Sequence, residues 1–207
     1  DAAVLLLSAA FNGSFHRYPT FIIRDDVRKH GSGNAGLTNF YRTYGANTPC
    51  WSSPATWADR GGVPAGQLLF RCLGWDGTLG TLLAGLGCEL GHIFPVFYGL
   101  RGGKGILSGG TLVLLLNWRV AAVAWALFLL LWLTTRYVSL ASITATCSAP
   151  ITVYFVYGHN WLYTGLCLAV AALVVWCHRE NIQRLLHGTE KKFKWHVNPT
   201  EGKDPPK

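Results

Sequence analysis

From Ile106 to Cys177 the sequence is a series of apolar runs separated by only a few polar residues. Ile106–Leu116, Val120–Thr135, Tyr137–Tyr157 and Trp161–Cys177 are divided by Asn117-Trp118-Arg119, Arg136 and Gly158-His159-Asn160. Runs of about 20 residues cross a bilayer, and in hydrocarbon a helix satisfies its own backbone. The pattern therefore predicts an all-α, polytopic membrane helix bundle, with Ile106–Leu116 a short member. Trp75–Leu100 precedes it as a further crossing, where Gly85, Gly87 and Gly91 allow close helix contact. Pro150 suits a kink. The first quarter fits less well. Asp1–Phe15 is apolar but short, and His16, Arg17 and Pro19 break the run immediately after it. Ala46–Gly74 has three prolines, scattered Ser and Gly, and no long apolar run. It reads as a long irregular loop, with Trp51 and Trp57 suited to an interface.

Composition narrows the function classes. Mean hydropathy is +0.26 and only 14% of residues are charged, which is unusual for a soluble domain. A net charge of +8 would suggest nucleic acid in a soluble protein. Here the cations lie between and after apolar runs, so anionic lipid or anionic substrates explain them better, and no nucleic-acid partner is expected. The six cysteines form no CxxC pair and several lie inside apolar runs, so they read as buried hydrophobes. No metal cluster or nucleotide fingerprint appears; neither a cofactor nor an obligate protein partner is expected. There is no Met, even at position 1, which suggests a fragment or a processed chain. Ala2–Leu7 has no basic segment before it, so no cleavable signal peptide is expected. Residues 1–195 read as one membrane domain and 196–207 as a disordered basic tail.

Three polar stretches carry the chemistry. The first, Asp25–Gly45, spaces Gly31, Gly33 and Gly36 among small polar residues. Ser32, Asn34, Thr38 and Asn39 can bind a phosphate or a hydroxyl, and Arg28, Lys29 and Arg42 add charge. Thr38–Tyr44 suits the first turns of a helix, with Thr38 and Arg42 on one face. Ser32 lacks a GxSxG elbow, which makes it a weak covalent nucleophile. The second stretch, Leu90–Gly110, contains His92, Pro95 and Arg101-Gly102-Gly103-Lys104-Gly105. Glycines let a backbone approach an anion and turn its N–H groups inward, and the cations supply charge. It is not a Walker A loop, because Gly105 follows the lysine and Tyr98 stands where that motif has its first glycine. The third, His178–His196, places His178, Asn181 and Leu185 on one helical face, with Arg184 a turn from Asn181. Blander readings remain: an interhelical turn, a flexible basic loop, and a tail held at an anionic membrane surface. Counting crossings puts the glycine loop and the His178 stretch on one face, which the Lys/Arg bias makes cytoplasmic. For Arg42 to join them, residues 43–100 must contain an even number of crossings. Ala46–Gly74 would have to supply the second.

RKHGSGNAGLTNFYR (Arg28–Arg42), GHIFPVFYGLRGGKG (Gly91–Gly105), HRENIQRLLHGTE (His178–Glu190) and the apolar TRYVSLASI (Thr135–Ile143) resemble the bacterial acyl-phosphate:glycerol-3-phosphate acyltransferase family. The resemblance implies a seven-helix membrane protein. It would transfer a fatty acyl group from acyl phosphate to glycerol 3-phosphate, giving lysophosphatidic acid and phosphate for phospholipid synthesis. It also implies a bacterial inner (cytoplasmic) membrane location, with the active site facing the cytoplasm. The implied catalytic set is Ser32, Arg42, Lys104, His178 and Asn181. Asn34, Thr38, Asn39, His92, Gly102, Gly103 and Gly105 would bind substrate. Glu190 would be structural and pair with Arg184. The chain departs from the pattern at Leu37, in the broken first helix, and across Ala46–Gly74, where Asp59-Arg60-Gly61 is a loose remnant. A catalytically impaired homologue and a phosphate-binding membrane transporter are the alternatives. Against the transporter, the apolar runs hold almost no ionisable residues.

Overall fold

The computed structural model describes residues 29–30, 37–44, 54–95 and 100–193. Among these residues there are eight helices and no strand: α1 Leu37–Tyr44, α2 Pro54–Cys72, α3 Gly77–Ile93, α4 Ile106–Leu116, α5 Trp118–Thr135, α6 Val138–Val156, α7 Trp161–Cys177 and α8 Arg179–Leu186. The expectations for residues 1–20 and for the tail at 196–207 lie outside the described residues.

The main departure from the sequence reading is α2. A 19-residue helix occupies most of the segment read as an irregular loop, with Pro64 inside it. Its Gly66 is a contact point. A Cβ on Gly66 would lie 2.5 Å from the Ala84 Cβ, and one on Gly80 would lie 2.5 Å from the Gly66 carbonyl oxygen. The α2 and α3 backbones therefore meet at Gly66 and Gly80, and packing overrides weak helix propensity. Phe70 edges onto Trp75, while Val63, farther back along α2, shares a buried cluster with Cys88 and Leu112. This pairing makes α2 and α3 antiparallel, so the chain runs out along α2 and back along α3.

Beyond α3 the turns are short and successive helices alternate in direction. Asn117 alone separates α4 from α5, Arg136-Tyr137 joins α5 to α6, and Tyr157–Asn160 joins α6 to α7. The shared core is built of small residues, among them Ala121, Ala124, Ala149, Val153 and Cys167. The opposite faces expose Leu130, Leu133, Ile151, Phe155 and Leu168. Such inverted faces belong in lipid. Both α5 and α6 are long and apolar enough to span a membrane, and α7 with α8 forms a further candidate bent by 60°. The alternation defines two ends. One holds the residue 100–105 loop, Arg136 and His178; the other holds Asp76, Asn117 and Tyr157–Asn160, where the Tyr157 hydroxyl donates to the Leu116 carbonyl at 3.1 Å.

Candidate active site

The first of these ends gathers the polar motifs. Lys104, just before α4, donates through Nζ to Oδ1 of Asn181 in the first turn of α8. Asn181 in turn donates through Nδ2 to Oε1 of Glu190 at 2.7 Å. The Ser139 hydroxyl, in the first turn of α6, donates to the same oxygen at 2.7 Å, and Arg184 Nε donates to Oε2 at 2.7 Å. Glu190 is thus a hub that three donors saturate, and it orients the asparagine that faces the lysine. The second Arg184 pairing, with Glu180 at 3.9 Å, is long and exposed and adds little.

His178 stands at the bend between α7 and α8 and is buried. Its Nδ1 lies 2.8 Å from the Val174 carbonyl oxygen. A carbonyl only accepts, so Nδ1 carries the proton and Nε2 of the neutral ring is the acceptor. Burial, with the Lys104 cation nearby, lowers the His178 pKa to about 4, although the Val174 hydrogen bond works the other way. Burial also holds Lys104 below the usual ammonium range; Arg184 pushes in the same direction and Glu190 opposes it. For Glu190, burial favours the neutral acid, but hydrogen bonds from Arg184, Asn181 and Ser139 outweigh it and keep the carboxyl below its ordinary value.

The glycines act differently from the sequence expectation. The Gly102 and Gly103 N–H groups do not turn toward an open site. They donate to the Ile93 carbonyl at 3.1 Å and the His92 carbonyl at 3.2 Å, capping the end of α3. A Cβ on Gly102 would strike the His92 carbonyl, and one on Gly103 would strike the His92 ring. These contacts of the two glycines and of buried His92 fix the path of the loop that carries Lys104. Gly105 is the N-cap of α4, with φ +79°, a conformation suited to glycine. Its side-chain-free cap leaves the first N–H groups of α4 without a capping partner from that residue, next to Lys104.

The first polar stretch is only partly described. Ser32 and Asn34 lie outside the described residues, as does the Arg42 side chain, although the Arg42 backbone is in α1. Asn39 is buried and donates through Nδ2 to the His30 carbonyl at 3.0 Å, and Thr38 beside it is half-buried. The Tyr41 ring stacks on Phe193 at 5.5 Å, and the Phe193 N–H donates to the Arg136 carbonyl at 2.8 Å. That contact brings α1 to the Lys104 end. Two residues escaped the sequence reading. Ser139 was visible only as a serine inside TRYVSLASI. Glu89, fully buried in α3, was signalled by a lone carboxylate in an apolar run.

Comparison with known proteins agrees with this arrangement. The family model described as glycerol-3-phosphate acyltransferase matches residues 16–188. A glycerol-3-phosphate acyltransferase of Syntrophomonas wolfei is 39% identical over 203 residues, 93% of this chain and 97% of that one. One from Aquifex aeolicus is 38% identical over 170 residues, 81% of this chain and 85% of that one. The fold matches the crystal structure of PlsY (YgiH), an integral membrane glycerol 3-phosphate acyltransferase. Its glycerol 3-phosphate form gives a TM-score of 0.78 at 33% identity, covering 93% of this chain and 96% of that one. Its lysophosphatidic acid form gives 0.75, covering 93% and 95%. With motifs, fold and near-complete coverage in accord, the chain belongs to the glycerol-3-phosphate acyltransferase family.

Proposed function

We propose that this chain transfers an acyl group from acyl phosphate to glycerol 3-phosphate, releasing phosphate and lysophosphatidic acid, at the cytoplasmic face of a bacterial inner membrane. The observation that carries the reading is the meeting of Lys104 with Asn181, 77 residues apart, at the end of the bundle where His178 and α1 also lie. Family relatives solved with glycerol 3-phosphate and with lysophosphatidic acid support both the acceptor and the product.

An acyl phosphate is a mixed anhydride with a good leaving group. The site must therefore mainly position two anions and offset their charge. Lys104 holds a phosphate, and Asn181 and His178 orient the glycerol 3-phosphate acceptor. Arg42, Ser32, Asn34, Thr38 and Asn39 serve the other phosphate and the glycerol hydroxyls. A bound phosphate favours the charged ammonium that burial and Arg184 disfavour on Lys104. The acceptor oxygen bonds to the acyl carbon, the acyl carbon–oxygen bond to phosphate breaks, and the hydroxyl proton must leave. The neutral His178 ring offers Nε2 as an acceptor to the hydroxyl, and a substrate phosphate supplies the other base. The proton ends on phosphate, and His178 orients the hydroxyl through Nε2. The test is phosphate release from acyl phosphate by the purified chain. Release that depends on glycerol 3-phosphate, with acyl-CoA inactive as donor, is the expected result. Release independent of the acceptor, or equal use of acyl-CoA, would overturn the reading.

A further inference from the structure

We propose that Glu89 is a positioning residue that braces the Lys104 loop against the helix carrying His178, and so sets the grip on glycerol 3-phosphate. This rests on the function proposed above. The carboxylate is 0% exposed and faces the first turn of α4. A Cβ on Gly105, the residue after Lys104, would collide with Oε2; one on Gly109, a turn later, would lie 2.9 Å from Oε1. The same point on Gly105 is 3.3 Å from Cγ2 of Val174 in α7, whose carbonyl fixes the His178 ring. One side chain therefore touches the root of the lysine loop at the point where that loop meets Val174 of α7.

The surrounding register is built from bulky groups seated in glycine notches. Leu112 of α4 fills the space above Gly85, and the His92 ring lies on Gly103. Glu89 occupies the middle rung, over Gly105 and Gly109. Any side chain of similar size would fill that notch, and a buried carboxylate costs more than an apolar one. What the carboxyl group adds is a polar attraction, through its two oxygens, to the positive end of α4. It draws the first turn, and Lys104 with it, toward α3. A methyl group on Gly109 would have to displace the carboxyl group from this notch.

The test uses the full chain in detergent, with acyl phosphate saturating. Glu89→Gln keeps the volume and replaces one carboxyl oxygen by an amide nitrogen; it is expected to raise KM for glycerol 3-phosphate at least fivefold while kcat falls less than threefold. Gly109→Ala should raise the same KM at least tenfold. Placed on Glu89→Ala, where the notch is empty, it should change KM less than twofold, since alanine otherwise favours a helix. A Gly109→Ala effect of equal size in both backgrounds would overturn the proposal. So would a Glu89→Gln variant that is less heat-stable but has wild-type KM, because that marks a merely structural side chain. Absence of transfer by the wild-type chain would overturn the functional reading itself, a separate failure.

Discussion

The two ends of the bundle treat their helix starts in opposite ways. At the far end every start has a side-chain cap. Asp76 accepts from the Thr78 N–H, Asn117 from that of Arg119, and Asn160 from those of Leu162 and Tyr163. At the site end, α4, α6 and α8 begin at Gly105, Tyr137 and His178 with no side-chain cap. Each such start carries about half a unit of positive charge. Three of them near Lys104 and Arg184 make an electropositive end suited to paired anions, while the far end uses its polar side chains to stabilise helices. Polar side chains at the far end cap helix starts, while those at the site end pair with one another and leave the helix starts uncapped.

That contrast can be broken by substitution. Lys104→Ala should lower kcat/KM for phosphate release by about a thousandfold, the order expected for a buried charge-assisted contact that forms with the reacting phosphate. Activity retained within tenfold would remove Lys104 from the site. Glu190→Ala should lower activity ten- to a hundredfold and stability by about 2 kcal/mol, because three donors lose their acceptor. The Glu190 carboxyl is held below its unfolded value. Its contribution is therefore complete above the ordinary carboxylate range and is lost as pH falls through the folded value, so Glu190→Gln should flatten the acid limb of a melting-temperature profile. His178, with its pKa lowered to about 4, should give no break in the rate profile near pH 6.5; such a break, absent in His178→Gln, would refute the neutral assignment. The smallest effect belongs to the far end. Asn160→Ala should cost about 1 kcal/mol of stability through its lost cap and leave both KM values unchanged.

The later helices were legible because an apolar run of spanning length has few alternatives. The turns at Asn117 and Gly158–Asn160 appear where the sequence places them, and alternation alone brings Lys104 and His178 to one end. The helix α2 was not legible. Gly61, Gly62, Pro64 and Gly66 are loop-forming by propensity, and only the partner surface at Gly80 and Ala84 turns Gly66 into a packing point. The use of Gly102 and Gly103 was hidden for a similar reason. Nothing local reveals that the chain folds back onto the open carbonyls of α3. Ser139 could not be told from a packing serine, because its role depends on Glu190, 51 residues away.

Phe193, stacked on Tyr41 and edged against Trp132, joins nearly the last described residue to one of the first described helices. During synthesis the hydrophobic helices can enter the bilayer while this clasp is still inside the ribosome. In that order, insertion would precede fastening. A chain ending before Phe193 would lack this clasp.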